Sequence, residues 1–224
     1  MTELIIGIDD AGRGPLIGDM ILAGVLLDKK GEESLKKEGI TDSKLISHPT
    51  RIKLSEIIKK SVLSYHITRA SPQEIDFAII EGKNLNTLEA KKMAEIINKL
   101  NTKKSEIKVI VDCPSINISS WTKTLLTFIE NPENLKIKCE HKADLNHISA
   151  GAASILAKVE REEIVSKLKH QYGDFGSGYP SDPKTKQFLK EQGQKFKDSG
   201  IFRKSWATWK KLFPEKEQST LKGF

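Results

Sequence analysis

LIIGIDDAGRGP, Leu4 to Pro15, runs an apolar stretch into two adjacent acids and then a glycine–arginine–glycine turn. Leu4 to Asp9 reads as a short buried strand, and Met20 to Leu27 (MILAGVLL) as a second one beyond the turn. Outward from there, residues 31–48 look loop-like, Thr50 to Val62 has helical spacing, and Leu63 to Arg69 is strand-like. Ser71-Pro72-Gln73-Glu74 carries a helix start, with Ser as cap and Pro at the first position. Asn86 or Thr87 is expected to cap the next helix, whose inner stripe is Leu88, Met93, Ile96, Ile97 and Leu100. Strands are expected at Ile107 to Asp112 and Ile137 to His141, then one long helix from Leu145 to Gln171. Its AGAASILAK run is rich in small residues and lets another element approach closely. A glycine- and proline-rich loop, GDFGSGYPSDP, follows, and then helical pieces near Lys184 to Glu191 and Lys204 to Phe213. Alternating strands and helices make the class α/β.

The chain has 224 residues, of which 38% are hydrophobic, enough for a core. No apolar run nears the ~20 residues of a membrane helix, and no secretory signal pattern opens the sequence, so the expectation is a cytoplasmic protein. Cys113 and Cys139 are then free thiols. Net charge is +7, and the segment from Pro183 onward holds eleven Lys and Arg against four Asp and Glu, which accounts for all of it. A basic appendage on a neutral body suits a polyanion, although a merely solvated basic surface gives the same count.

Asp9 and Asp112 each end an expected strand, and Asp144 lies just past a third. Ligand sites of α/β proteins lie at such strand ends. A single acid there is ordinarily a helix cap, but three, with Asp10 beside the first, form a set. Clustered carboxylates repel unless a cation neutralises them, and oxygen donors favour Mg²⁺ or Mn²⁺. Two such ions ~4 Å apart clamp the attacking and leaving oxygens in phosphoryl transfer. A dinucleotide fingerprint fails: Gly12, Gly14 and Gly18 have the wrong last spacing, Pro15 interrupts, and a strand follows. Zinc held by Cys113, Cys139, His141 and His147 lacks a C-x-x-C pair.

Taken in order, GIDDAGRGPLIG (7–18), TDSKL (41–45), LNTLEAKKMAEII (85–97), VDCPS (111–115), HKAD (141–144) with AASILAKVERE (152–162), GSGYPSDP (176–183) and RKSWAT (203–208) resemble the archaeal-type ribonuclease HII family along nearly the whole chain. The resemblance implies a ribonuclease H-like fold, a central mixed β-sheet flanked by helices, with a C-terminal helical region. It divides the chain into a catalytic core (1–175), a substrate-binding loop with helices (176–213) and a tail (214–224). It implies an endonuclease, acting as a monomer, that cuts the RNA strand of RNA–DNA hybrids. It also implies nicking of DNA 5′ of embedded ribonucleotides, leaving 3′-hydroxyl and 5′-phosphate ends. The family's four metal-binding acids fall on Asp9, Asp10, Asp112 and Asp144, with two Mg²⁺ or Mn²⁺ ions. At Asp10 the family has glutamate. Neighbouring strand residues face opposite ways, so this acid must curl back, and aspartate is one methylene short. A reduced or metal-retuned activity is expected, and at the extreme a junction-binding protein that cuts poorly. An integrase-type nuclease acting on DNA alone is the other alternative.

By the same resemblance Gly12, Arg13 and Gly14 sense the ribose 2′-hydroxyl, which backbone groups of a glycine turn can approach without obstruction. Tyr179 covers the following deoxyribose. Ser43 and Lys44, and Lys158 on the long helix, are expected at backbone phosphates. Trp206 and Trp209, three apart, share a face and anchor their helix to the core, while lysines around them track DNA. Gln218, Leu221 and Phe224 fit the Q-x-x-L-x-x-F pattern by which DNA enzymes hook onto a sliding clamp, without the usual second aromatic.

Overall fold

β1 (Leu4–Ala11) lies at the middle of a five-stranded sheet because both of its faces are apolar: Ile6 and Ile8 on one side and Ile5 and Ala11 on the other are buried. The computed structural model describes residues 3–40, 46–103 and 105–214. The sheet order is β3-β2-β1-β4-β5, with β2 (Met20–Asp28), β3 (Ser64–Ala70), β4 (Ile107–Asp112) and β5 (Leu135–Glu140). β1, β2 and β3 pair antiparallel, while β1, β4 and β5 pair parallel, giving the mixed sheet.

The helices are α1 (Lys29–Lys37), α2 (His48–Ser61), α3 (Pro72–Ile80), α4 (Leu85–Leu100), α5 (Ile118–Leu126), α6 (Ala143–Asn146), α7 (Ile148–Tyr172), α8 (Pro183–Gln192) and α9 (Ala207–Leu212). α4 lays Met93, Ile96 and Ile97 against Ile6, Ile8 and Val109. α7 lays Ala150, Ala152 and Ile155 against the opposite face, with Ile5, Ile21 and Ile110. Each fully buried isoleucine contributes about 1.5–3 kcal/mol of burial. The small residues of α7 act as expected: Gly7 of β1 sits so close that a Cβ there would run into the backbone of Ser149 and Ala150. A third cluster joins Leu16 and Ile17, after the first turn, to Phe175, Phe188, Phe202 and Trp209 of the C-terminal part. An antiparallel bridge pairs Ile17 with Phe202.

Several expectations need correction. The loop-like 31–48 contains most of α1, which buries only Gly31 and Leu35 and so shows no apolar stripe; Asp28 caps it through Gly31 N at 2.8 Å. Asn84, not Asn86 or Thr87, caps α4, accepting from Thr87 N at 2.9 Å. α5 was hidden between two strands by its polar surface. The single long helix is two, because His147 is extended (φ −133°, ψ 126°) and ends α6 before α7 begins. Arg203, part of the basic C-terminal count, is fully buried. Trp209 anchors α9 in the core as expected. Among the described residues no helix is long and apolar enough to cross a membrane. Ser43, Lys44, Gln218, Leu221 and Phe224 lie outside the described residues.

Candidate functional site

The parallel register pairs Ile8 with Val111, so Asp9 and Asp112 are the next residues on adjacent strands, at the same C-terminal end. Asp112 Oδ1 accepts from Ala143 N at 2.7 Å, which ties the α6 turn and its Asp144 to the end of β4. Lys142, in the left-handed region (φ 58°), turns the chain from β5 into that position. Asp9 and Asp144 are both buried. Asp9 accepts from its neighbour's amide, Asp10 N, at 2.7 Å. Burial pushes its carboxyl well above the usual range, and repulsion from Asp10 and then Asp112 adds to that, against the opposing bond to Ser154.

Asp10 follows the strand alternation to the other face, where it meets Glu89 of α4. Its carboxyl is also raised, by burial first and then by Glu89, with Arg13 opposing. Glu89 is itself fully buried and raised by burial, against the Arg13 ion pair. Arg13 Nε donates to Glu89 Oε2 at 2.9 Å and its Nη2 to Asn86 Oδ1 at 2.6 Å.

Asp10, Gly12, Arg13, Gly14, Lys158 and Tyr179 line one cleft of ≈ 380 Å³. Gly12 has φ +82°, and a Cβ on it would meet Arg161 Cδ at 2.8 Å and Asp19 O at 3.0 Å, so only glycine fits. A Cβ on Gly14 would meet the Tyr179 ring at 3.2 Å. Tyr179 is 38% exposed, with the Arg161 guanidinium 5.4 Å from its ring centroid. Asp182 fixes its loop by accepting from Ser177 N at 2.6 Å and Lys184 N at 2.9 Å.

The structure therefore brings Asp9, Asp10 and Asp112 into mutual electrostatic contact, sets Asp144 beside Asp112, and places the turn, Lys158 and Tyr179 around the adjoining cleft. Among the described residues no three acid, histidine or cysteine side chains converge as a ready cage for a metal. The donors nonetheless suit a hard cation: they are carboxylate oxygens, buried at Asp9 and Asp144 and half-buried at Asp10 and Asp112, and a divalent charge among them relieves the repulsion between Asp9, Asp10 and Asp112. The zinc alternative fails on partners: His141 Nδ1 bonds Cys113 O at 3.0 Å and His147 Nε2 bonds Glu140 Oε1 at 2.8 Å.

Three charged residues of this region were not singled out by the sequence, and a fourth, Arg203, was read only as one of the basic C-terminal residues. Glu89 lies four before Met93 and seven before Ile96, a charge inside an apolar stripe, and that was its readable signal. Arg51 and Arg161 line the cleft; Arg51 Nη2 bonds Glu162 Oε1 at 2.5 Å. Arg203 reaches the turn from behind, and a lone sequence does not distinguish it from a surface cation.

A sequence model of the family described as Ribonuclease HII matches residues 6–209. The curated Ribonuclease HII of Pyrococcus furiosus is 42% identical over 209 residues, covering 92% of this chain and 89% of its own length. That of Methanocaldococcus jannaschii is 38% identical over 228 residues, covering 97% and 98%. The crystal structure of ribonuclease H2 from Pyrococcus horikoshii superposes with a TM-score of 0.84 at 35% identity, covering 93% of this chain and 96% of that one. The structure of a PCNA:RNase HII complex from Archaeoglobus fulgidus gives 0.79 at 35% identity, covering 97% and 98%. The architecture is thus the ribonuclease H-like one, a mixed sheet between helices with a C-terminal helical region.

Proposed function

The chain belongs to the ribonuclease HII family, nucleases that hydrolyse RNA endonucleolytically in RNA–DNA hybrids, and from that premise we propose that it also nicks DNA on the 5′ side of single embedded ribonucleotides. The products are a 3′-hydroxyl and a 5′-phosphate. The observation that carries this is that a cleft lined by Asp10, the glycine turn and Tyr179 adjoins the strand end where Asp9, Asp10 and Asp112 repel one another. Asp9, Asp112 and Asp144, with Asp10, would hold the two Mg²⁺ or Mn²⁺ ions this family's divalent-metal chemistry needs. When bound, such ions lower the pKa of an attacking water and stabilise the leaving oxygen.

The chain's own residues do the rest. The Gly12–Gly14 backbone meets the 2′-hydroxyl as donor and acceptor. Tyr179, half-exposed and packed on Gly14, covers a deoxyribose and leaves no room for a hydroxyl there. Lys158 offers a cation to phosphate at the cleft wall; the Ser43 hydroxyl and the Lys44 ammonium, outside the described residues, are assigned the same phosphate-binding role. Asp10 faces Glu89, so its carboxylate serves the ions less directly than a glutamate would, and activity in Mg²⁺ is reduced. The Q-x-x-L-x-x-F pattern of Gln218, Leu221 and Phe224 assigns the C-terminal tail to a sliding clamp, in line with the relative solved with PCNA. A pull-down with and without the last seven residues tests it.

The central test is a duplex of DNA with one ribonucleotide, incubated with Mg²⁺ and then with Mn²⁺. We expect one cut, 5′ of the ribonucleotide, faster in Mn²⁺. Cutting of an all-DNA duplex at the same rate refutes the assignment. Tight binding with no cut in either metal moves the chain to the junction-binding alternative.

A further inference from the structure

The turn that meets the ribose is held from behind by two residues distant in sequence. Arg203 is fully buried, and its guanidinium donates to backbone carbonyls: Nη2 to Gly12 O at 2.6 Å, Nη1 to Arg13 O at 2.7 Å, and Nε and Nη2 to Gly18 O at 3.0 and 2.9 Å. Trp206 Nε1 donates to Gly14 O at 3.1 Å. The Arg203 guanidinium also lies 5.1 Å from the Trp206 ring centroid. All three carbonyls of the Gly12-Arg13-Gly14 turn are therefore taken by one C-terminal segment. Its backbone is knitted to the same region, with Arg203 N on Leu16 O at 2.9 Å and Gly18 N on Ile201 O at 2.9 Å.

A trans peptide points its N–H opposite to its C=O, and no peptide among the described residues is cis. With the Gly12 and Arg13 carbonyls fixed on Arg203, the amides of Arg13 and Gly14 must point away from it. Rotating either peptide would strand a buried guanidinium, which loses charge-assisted bonds it cannot replace. Glycines on both sides of Arg13 make the turn easy to bend, so its shape has to be imposed from outside.

We propose that Arg203 and Trp206 are positioning residues for ribose discrimination: Arg203 holds the Arg13 and Gly14 amides toward the substrate side, and Trp206 pins the Gly14 carbonyl that closes the turn, where Pro15 has no N–H to orient, so that one 2′-hydroxyl decides affinity. This rests on the turn being the ribose sensor. Lysine at 203 keeps the charge but cannot span three carbonyls as a planar fork does. Phenylalanine at 206 keeps the ring and removes only the indole N–H.

The test measures dissociation constants of the full chain for two duplexes that differ by a single 2′-hydroxyl, with Ca²⁺ in place of Mg²⁺. The readout is their ratio. Arg203→Lys should shrink the ratio at least about tenfold and Trp206→Phe about threefold, with affinity for the all-DNA duplex within about twofold of wild type. A merely structural role lowers both affinities together or neither. Folded variants that keep the wild-type ratio overturn the inference. Should Arg203→Lys not fold, as judged by thermal melting, an unchanged ratio in Trp206→Phe overturns it alone. A wild-type ratio near one instead sinks the ribose reading of the turn, so the two failures are separate.

Discussion

If the proposed metal site is right, Asp10 is where the geometry of a strand works against it. Alternation sends Asp9 toward α7 and Asp10 toward α4, where burial and Glu89 both disfavour its charge. One more methylene would extend the carboxylate back around the strand. Since a 1 Å placement error costs about 10²-fold in rate, Asp10→Glu is expected to raise kcat/KM in Mg²⁺ by about tenfold or more, and by less in Mn²⁺. Parallel rate measurements in the two metals check this, and no gain in Mg²⁺ discards it. At this scale the sequence was most legible at Asp112, which ends β4 as expected, whereas Asp9 was expected to end its strand and β1 instead runs on to Ala11, held by its pairing with β2. Glu89 and Arg203 were not legible, because a charge is surface by default and only packing shows otherwise. Resemblance supplied what patterns lacked for Gly12–Gly14 and Tyr179.

At the scale of elements, α7 and β1 form the contact on which the site depends, since β1 carries Asp9 and α7 carries Ser154, Lys158 and Arg161. The approach is so close that Gly7→Ala puts a methyl into helix backbone, which cannot step aside as a side chain can. Overpacking costs about 1–3 kcal/mol where side chains adjust, so we expect about 3 kcal/mol or more here, read as a lower denaturation midpoint. The loop that carries Tyr179 depends on Asp182, whose carboxyl its bonds to Ser177 and Lys184 pull down to about 2. A depressed carboxyl contributes stability above its unfolded value, about 3.9, and loses it as pH falls through the folded one. Asp182→Asn keeps the helix cap and removes the charge. The variant should be less stable than wild type at pH 6, and the gap should close between about pH 4 and pH 2, measured as urea midpoints across that range. An unchanged gap would dissociate Asp182 from the loop. Elements with strong local signals were legible: the Ser71 capping box is formed as expected, and β4 keeps its expected bounds. α1 and α5 escaped because one apolar side and a polar surface leave short helices with little period to detect. The His147 break escaped because the sequence there has neither Gly nor Pro.

For the whole molecule, the +7 charge sits where the sequence suggested, but not all of it is available. Arg203 is spent inside, on carbonyls, whereas Lys204, Lys210 and Lys211 are exposed along the C-terminal face. That separates two jobs. Exposed lysines attract phosphate wherever it is, with or without a ribose; on the proposed reading the buttressed turn tells one sugar from another. Each phosphate contact contributes about 0.9 to the slope of log affinity against log salt. Replacing Lys204, Lys210 and Lys211 together by glutamine should therefore flatten that slope by about 2–3 and weaken binding to the ribonucleotide-bearing and all-DNA duplexes alike. The ratio between those duplexes should stay at its wild-type value, because none of the three lysines bonds the turn. A salt titration of both duplexes measures slope and ratio in one experiment. An unchanged slope would show that DNA does not run along this face, and a changed ratio would show that charge and sugar recognition are not divided between surface and turn.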